Sequence, residues 1–271
     1  MLPVIKLGGY DISRLIIGGN PLSGNSHVSL QMNEEMEDFF TTAQIKKTLF
    51  HSEKCGLNAM QMRGDRHIIR IMREYRSEGG KMHWIAQTAS EIQPYESNIS
   101  QIVKNDPVAI YHHGTVTDEL FKNGDFRDLK KRLSVIRESG KAVGLGTHMP
   151  QVIEYAEEHD WDIDFYMASV YNLSKIDRVS SVVTGIANCD EPFDDEDCAI
   201  MYRTIRATNK TCLVFKILGA TRKCQSPDTV RGAFAEAFRS IKSIDAVVVG
   251  MFPKEKDQVA ENAGFVMDIL G

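Results

Sequence analysis

Lys216 interrupts the run Val214-Phe215-Lys216-Ile217. Burying an ammonium costs several kcal/mol unless it is paired or deprotonated. A lysine placed this way predicts a Schiff base, an anion clamp or a paired structural charge. His112 and His113 are adjacent, and side chains on a strand alternate between faces, so only one of them can serve a site. His148 follows Thr147; imidazole titrates near neutral pH, which suits a general acid or base. Arg63 can grip a carboxylate or phosphate with two parallel bonds, or pair with Asp65 or Glu74. Gln61 and Gln87 add two amides.

A metal centre requires convergence from distant segments: His27, His113 and His148, with Asp65 as a fourth ligand. No HExxH, HxH or ligand-spaced cluster supports it. Cys189 and Cys198 flank an acidic stretch, CDEPFDDEDC, with poor metal spacing, and read as surface thiols. GxGxxG, GxxxxGKS and GxSxG are absent, so neither a Rossmann site, a P-loop nor a nucleophile elbow is supported.

These residues need elements to place them. Short apolar or β-branched runs such as LIIGG, CLVFKIL and AVVVGM read as buried parallel strands. Eight strands are predicted, over 13–19, 58–62, 83–88, 109–113, 142–147, 165–171, 212–218 and 246–251. Helical patterns fall between them at 41–55, 66–76, 97–103, 126–139, 152–159, 196–208, 229–242 and 255–270. Eight strand–helix units in 271 residues match the size of a single α/β (β/α)8 TIM barrel spanning 1–271. Two long segments, about 20–40 and 172–197, leave strand C-termini and are expected as rim loops. In such a barrel the chemistry sits at the strand C-termini. There the polar residues fall strand by strand: Asn20; Gln61, Arg63 and Asp65; Gln87; His112 and His113; Thr147 and His148; Tyr171 and Asn172; Lys216.

Composition narrows the function. Hydrophobic residues make up 42% and charged residues 25%, as in an ordinary globular protein. The net charge of -5 gives no electrostatic footprint for nucleic acid. No apolar run approaches the ~18 residues of a membrane span, and the N-terminus lacks the apolar core of a signal peptide. Five cysteines without paired spacing predict a reducing, cytoplasmic compartment. The expected partner is a small molecule at the barrel rim.

The order of motifs resembles the aldo-keto reductase superfamily. LGGYDISRLIIGGNPLSG is similar to its N-terminal hairpin and first strand. LKKRLSVIRESGKAVGLGTHMPQVIEYAEE is similar to its fourth helix and fifth strand, DIDFYMASVYN to its sixth strand, and DAVVVGMFPKEKDQVAEN to its last strand and following helix. The resemblance implies NADP(H) bound across the rim. It implies cofactor contacts at Asn172, Lys254, Gln258, Glu261 and Asn262.

That family uses an aspartate, a tyrosine, a lysine and a histidine. By motif, the aspartate falls on Gln61, the tyrosine near Arg66 and the lysine on Gln87, while the histidine is retained as His113. The serine–asparagine pair after the fifth strand falls on Thr147–His148, and the nicotinamide-holding glutamine on Ala168. The two glutamines are expected to bond each other across adjacent strands, leaving no buried charge unpaired. The implied function is a divergent NADP(H)-binding oxidoreductase acting on a small carbonyl compound, with His113 or His148 as the acid. The alternative reading is a non-redox barrel enzyme (a lyase, isomerase or metal-assisted hydrolase) built on Lys216, His113, His148, Arg63 and Gln87. A non-catalytic ligand-binding barrel is the third reading.

Overall fold

The computed structural model describes residues 2–175 and 191–271. An antiparallel hairpin, β1 (Val4–Leu7) and β2 (Tyr10–Ser13), precedes eight parallel strands. These are β3 (Leu15–Gly18), β4 (Ala59–Arg63), β5 (His83–Gln87), β6 (Ala109–His112), β7 (Ala142–Thr147), β8 (Phe165–Ser169), β9 (Thr211–Phe215) and β10 (Ala246–Gly250). They close in the order β10-β3-β4-β5-β6-β7-β8-β9. The last seam is sealed by parallel pairing from Val247 opposite Leu15 to Gly250 opposite Gly18. The fold is the (β/α)8 TIM barrel that the strand–helix alternation predicts.

Ten helices surround the barrel among the described residues: α1 (Leu30–Phe39), α2 (Thr42–Lys54), α3 (Arg66–Ser77), α4 (Tyr95–Val103), α5 (Gly114–Lys122), α6 (Phe126–Glu138), α7 (Pro150–Glu158), α8 (Glu196–Ala207), α9 (Pro227–Ser240) and α10 (Gln258–Leu270). Several begin on side-chain caps, which satisfy otherwise orphaned N–H groups. Ser29 accepts from the Met32 amide, Asp65 from that of Ile68 and Asp257 from that of Ala260. No helix among the described residues is long and apolar enough to cross a membrane.

Period-2 alternation divides each strand between two cores. Outward residues such as Met60, Met62, Trp84, Ile110, Leu145 and Val247 pack against the helices. Inward residues Ile16, Ala59, Ile85, Ala109, Phe165, Leu213 and Ala246 fill the lumen. Ile5, Leu7 and Ile12 of the hairpin join them and stopper the N-terminal end. At that end Arg14 donates from Nε to the Asp245 carbonyl, 2.8 Å. The buried Asp245 carboxylate accepts from the Cys212 and Lys242 amides, each 2.8 Å.

Gly144 is a tight point. A Cβ there would lie 2.3 Å from the Phe165 ring and 2.5 Å from Tyr111 Cβ, so only glycine lets both aromatics enter the lumen.

Several local features of the fold depart from the sequence reading. β9 ends at Phe215, so Lys216 lies just beyond the strand, half-buried, with φ +65°. The rim segment 20–40 contains α1, whose Ser29 cap sits in a polar stretch that resembles a loop. Helix α5 begins directly after His113, where the sequence pattern predicts no helix because Gly114 and Thr115 mask its start. Cys198 is a buried residue of α8 rather than a surface thiol, and burial pushes its thiol up to about 11. Cys189, and positions 176–190 of the second rim segment generally, lie outside the described residues.

Candidate active site

The inward positions nearest the strand C-termini carry the polar side chains. Gln61 and Arg63 alternate into the lumen from β4, and Gln87 ends β5 in register with Arg63. Tyr111 comes from β6, His113 follows that strand, His148 follows β7 and Lys216 follows β9. All seven line one cavity of about 100 Å³, joined by Asn20 and His27 from the segment after β3. The six catalytic candidates Gln61, Arg63, Gln87, His113, His148 and Lys216 are therefore brought together.

His112 and His113 do face opposite ways. His112 is buried toward the helices, its Nδ1 2.7 Å from Thr117 Oγ1. Burial drags its imidazole down to about 3, so it is neutral. His113 caps α5, and its amide donates to Thr88 Oγ1 at 3.1 Å.

His148 is oriented by a carboxylate that the sequence reading missed. Its Nδ1 lies 2.8 Å from Asp118 Oδ2, and Asp118 is 1% exposed. The same carboxylate accepts from the His148 amide (3.1 Å), from Ser174 Oγ (2.7 Å) and from Thr147 Oγ1. Four contacts from donor groups thus converge on Asp118. As an acceptor it favours the His148 tautomer with its proton on Nδ1, the form in which Nε2 is the basic nitrogen.

The two glutamines do not bond each other. Gln61 Nε2 instead donates to the Tyr111 hydroxyl at 2.7 Å. Burial raises the Tyr111 phenol far above its ordinary value, so it stays protonated. With its oxygen accepting from Gln61, the O–H is left to donate. Tyr111 also escaped the sequence reading, although its spacing of two from His113 on one strand was the available signal.

Arg63 is 8% exposed. Its Nε lies 3.4 Å from Asp65 Oδ2, its Nη2 is paired with Glu91, and its Nη1 is buried with no hydrogen-bond partner among the described residues. Its expected pairing with Asp65 holds; that with Glu74 does not, since Glu74 serves Lys46 and Arg70.

His27 bridges two charged groups. Its Nδ1 lies 2.7 Å from the buried Glu191 Oε2, and its Nε2 lies 3.1 Å from Lys216 Nζ and 3.1 Å from Asn20 Nδ2. Both ring nitrogens are engaged, which is the wrong arrangement for the metal set His27, His113 and His148. Among the described residues no three His, Cys, Asp or Glu side chains converge as a metal ion requires.

A second cavity of about 320 Å³ adjoins the first and shares His27, Phe215 and Lys216 with it. It runs along the ends of β9 and β10 to the start of α10, where Gln258, Glu261 and the buried Asn262 line it. Two of the expected cofactor contacts lie elsewhere. Lys254 Nζ is 3.3 Å from Glu35 Oε2, and the Asn172 side chain accepts from the Ser174 amide in a local turn.

No protein-family model and no curated protein sequence matches the chain. Solved structures match it at the level of fold. The apo form of Gox0644 gives a TM-score of 0.62 at 10% identity, over 100% of this chain and 89% of its own. A truncated 3-deoxy-D-arabino-heptulosonate 7-phosphate synthase from Thermotoga maritima gives 0.58 at 13% identity, over 99% and 91%. An aldo-keto reductase from Bacillus halodurans in holo form gives 0.57 at 11% identity, over 98% and 91%. At these identities the likeness is one of fold, and the neighbours carry out different chemistries.

Proposed function

We propose that this barrel is an enzyme that moves a proton at a small carbonyl compound, with His148 as general base. The observation that carries this reading is the buried Asp118–His148 pair at 2.8 Å, opening on a polar cavity at the strand C-termini. A base within hydrogen-bond reach of its orienting carboxylate is the arrangement proton abstraction needs. His148 Nε2 takes the proton, and Asp118 stabilises the imidazolium that forms. The Tyr111 O–H and Arg63 Nη1 are donors for the substrate oxygen, which gains charge as the proton leaves. The cavity's modest volume favours a substrate of few heavy atoms. The test is deuterium uptake from heavy water into a panel of small 2-oxoacids, ketoses and aldoses, followed by NMR. Uptake that disappears in His148→Gln supports the reading; no uptake with any compound refutes it.

A second reading, reduction of such a carbonyl by NADP(H), is favoured by one specific feature. The larger cavity reaches from Phe215 and Lys216 to the α10 N-terminus, where anions are favoured. The mixed apolar and polar lining fits an extended dinucleotide, with Gln258, Glu261 and Asn262 at its far end. The pairing of Lys254 with Glu35 leaves the phosphate end the less well matched. The bound dinucleotide would supply hydride, and the Tyr111 O–H would hold the carbonyl oxygen. Titration with NADPH, read by nicotinamide fluorescence, decides this version: saturation supports it, and silence at millimolar cofactor removes it.

A further inference from the structure

Glu191, His27 and Lys216 form a chain of carboxylate, imidazole and amine. The carboxylate is 2.7 Å from His27 Nδ1, and His27 Nε2 is 3.1 Å from Lys216 Nζ. A nucleophile within hydrogen-bond reach of a base, itself oriented by a third group, is the arrangement by which proteins activate a weak nucleophile. We infer that Lys216 is a nucleophilic amine that forms a Schiff base with a small carbonyl compound at the mouth of the barrel. This inference rests on the reading of the substrate as a carbonyl compound.

Two further observations support it. Glu191 is 7% exposed, so its charge is poorly screened and favours a cation on the adjacent imidazole. Moving a proton from Lys216 to His27 carries the positive charge toward that carboxylate. Second, Lys216 and His27 both hold left-handed backbone conformations, φ +65° and +59°. Strain of this kind at non-glycine residues clusters at functional sites. Lys216 lines both cavities, so a carbonyl compound in either can reach it.

The step balances without a co-reactant. Lys216 passes a proton to His27 Nε2, and its nitrogen lone pair then forms a C–N bond with the carbonyl carbon. The π electrons of C=O move to oxygen, which takes up protons and leaves as water as the C=N bond forms. In sum, the lysine ammonium and the carbonyl give a protonated imine and one water.

The experiment uses the full chain with pyruvate and, separately, dihydroxyacetone, each followed by sodium borohydride and peptide mass spectrometry. Exposed Lys6 serves as the internal reference. The expected result is an adduct at Lys216 roughly tenfold or more above that at Lys6, cut by roughly tenfold in Glu191→Gln. If Glu191→Gln fails to fold, by circular dichroism, His27→Gln takes its place. Equal labelling of Lys216 and Lys6 with both compounds overturns the inference. If deuterium uptake dependent on His148 persists in that case, the proposed function stands without the covalent step.

Discussion

His27 and Lys216, 189 residues apart, meet at 3.1 Å, and each pays for the contact with a left-handed backbone. Such conformations cost of order 1–3 kcal/mol each at non-glycine positions. A single hydrogen bond from a charged group contributes about 1.5–3 kcal/mol net. The strain of the two backbones is therefore at least comparable to this one bond, which adds little net stability by itself. Lys216→Asn tests this, because asparagine tolerates the left-handed region. Its thermal or urea unfolding should stay within about 1 kcal/mol of wild type. A loss well beyond that would show that the lysine holds the rim together.

Asp118→Asn keeps the shape of the side chain that orients His148 but removes its charge. It should lower proton-transfer activity by about 10²–10⁴-fold, comparably to His148→Gln. Deuterium-uptake rates read this directly. An effect smaller than threefold, the order of ordinary context variation, would mean that Asp118 serves the fold alone.

Tyr111→Phe removes the one hydroxyl of the lumen that meets Gln61. It should slow turnover by about 10²–10³-fold with little change in substrate affinity, as expected for a donor that strengthens as charge develops. It also leaves the Gln61 amide short of a partner, at about 1–3 kcal/mol of stability. Rates measured well below the melting temperature separate the two effects.

His112 gives a pH signature. Its imidazole falls from the ordinary 6.5 to about 3 through burial. Between those values the unfolded chain binds more protons than the native one, so stability falls as the pH drops through that window. The contribution is about 1.4 kcal/mol per pH unit once well inside it. His112→Asn retains a partner for Thr117 and cannot titrate there. Urea midpoints taken between pH 7 and 4.5 should decline less steeply in that variant; parallel declines would contradict the assignment.

Gly144→Ala should cost roughly 1–3 kcal/mol or more, since the added Cβ meets Phe165 and Tyr111 well inside van der Waals distance. It should also impair activity by displacing Tyr111. A variant with an unchanged melting temperature would show that the lumen has slack.

The barrel was legible because buried parallel strands are continuous apolar runs separated by amphipathic helices, and both patterns are local. The set Arg63, Gln87, His113, His148 and Lys216 was legible for the same reason: strand ends in a closed ring share one rim. Partners were harder. Asp118 sits in α5, whose glycine–threonine start hides it, and reaches His148 only through the fold. Glu191 comes from an acidic stretch that reads as solvated surface, yet it is buried against a histidine 164 residues away. The sequence exposes which groups can react, whereas the groups that orient them are set by tertiary distance.

The hairpin plugs the N-terminal end of the lumen with Ile5, Leu7 and Ile12. A barrel packed along its length and shut at its base presents its polar pocket, among the described residues, at the C-terminal mouth. On the proposed function, reactant and product share that mouth and the polar pocket beneath it, so inhibition by product, competitive with substrate, is the expected kinetic pattern.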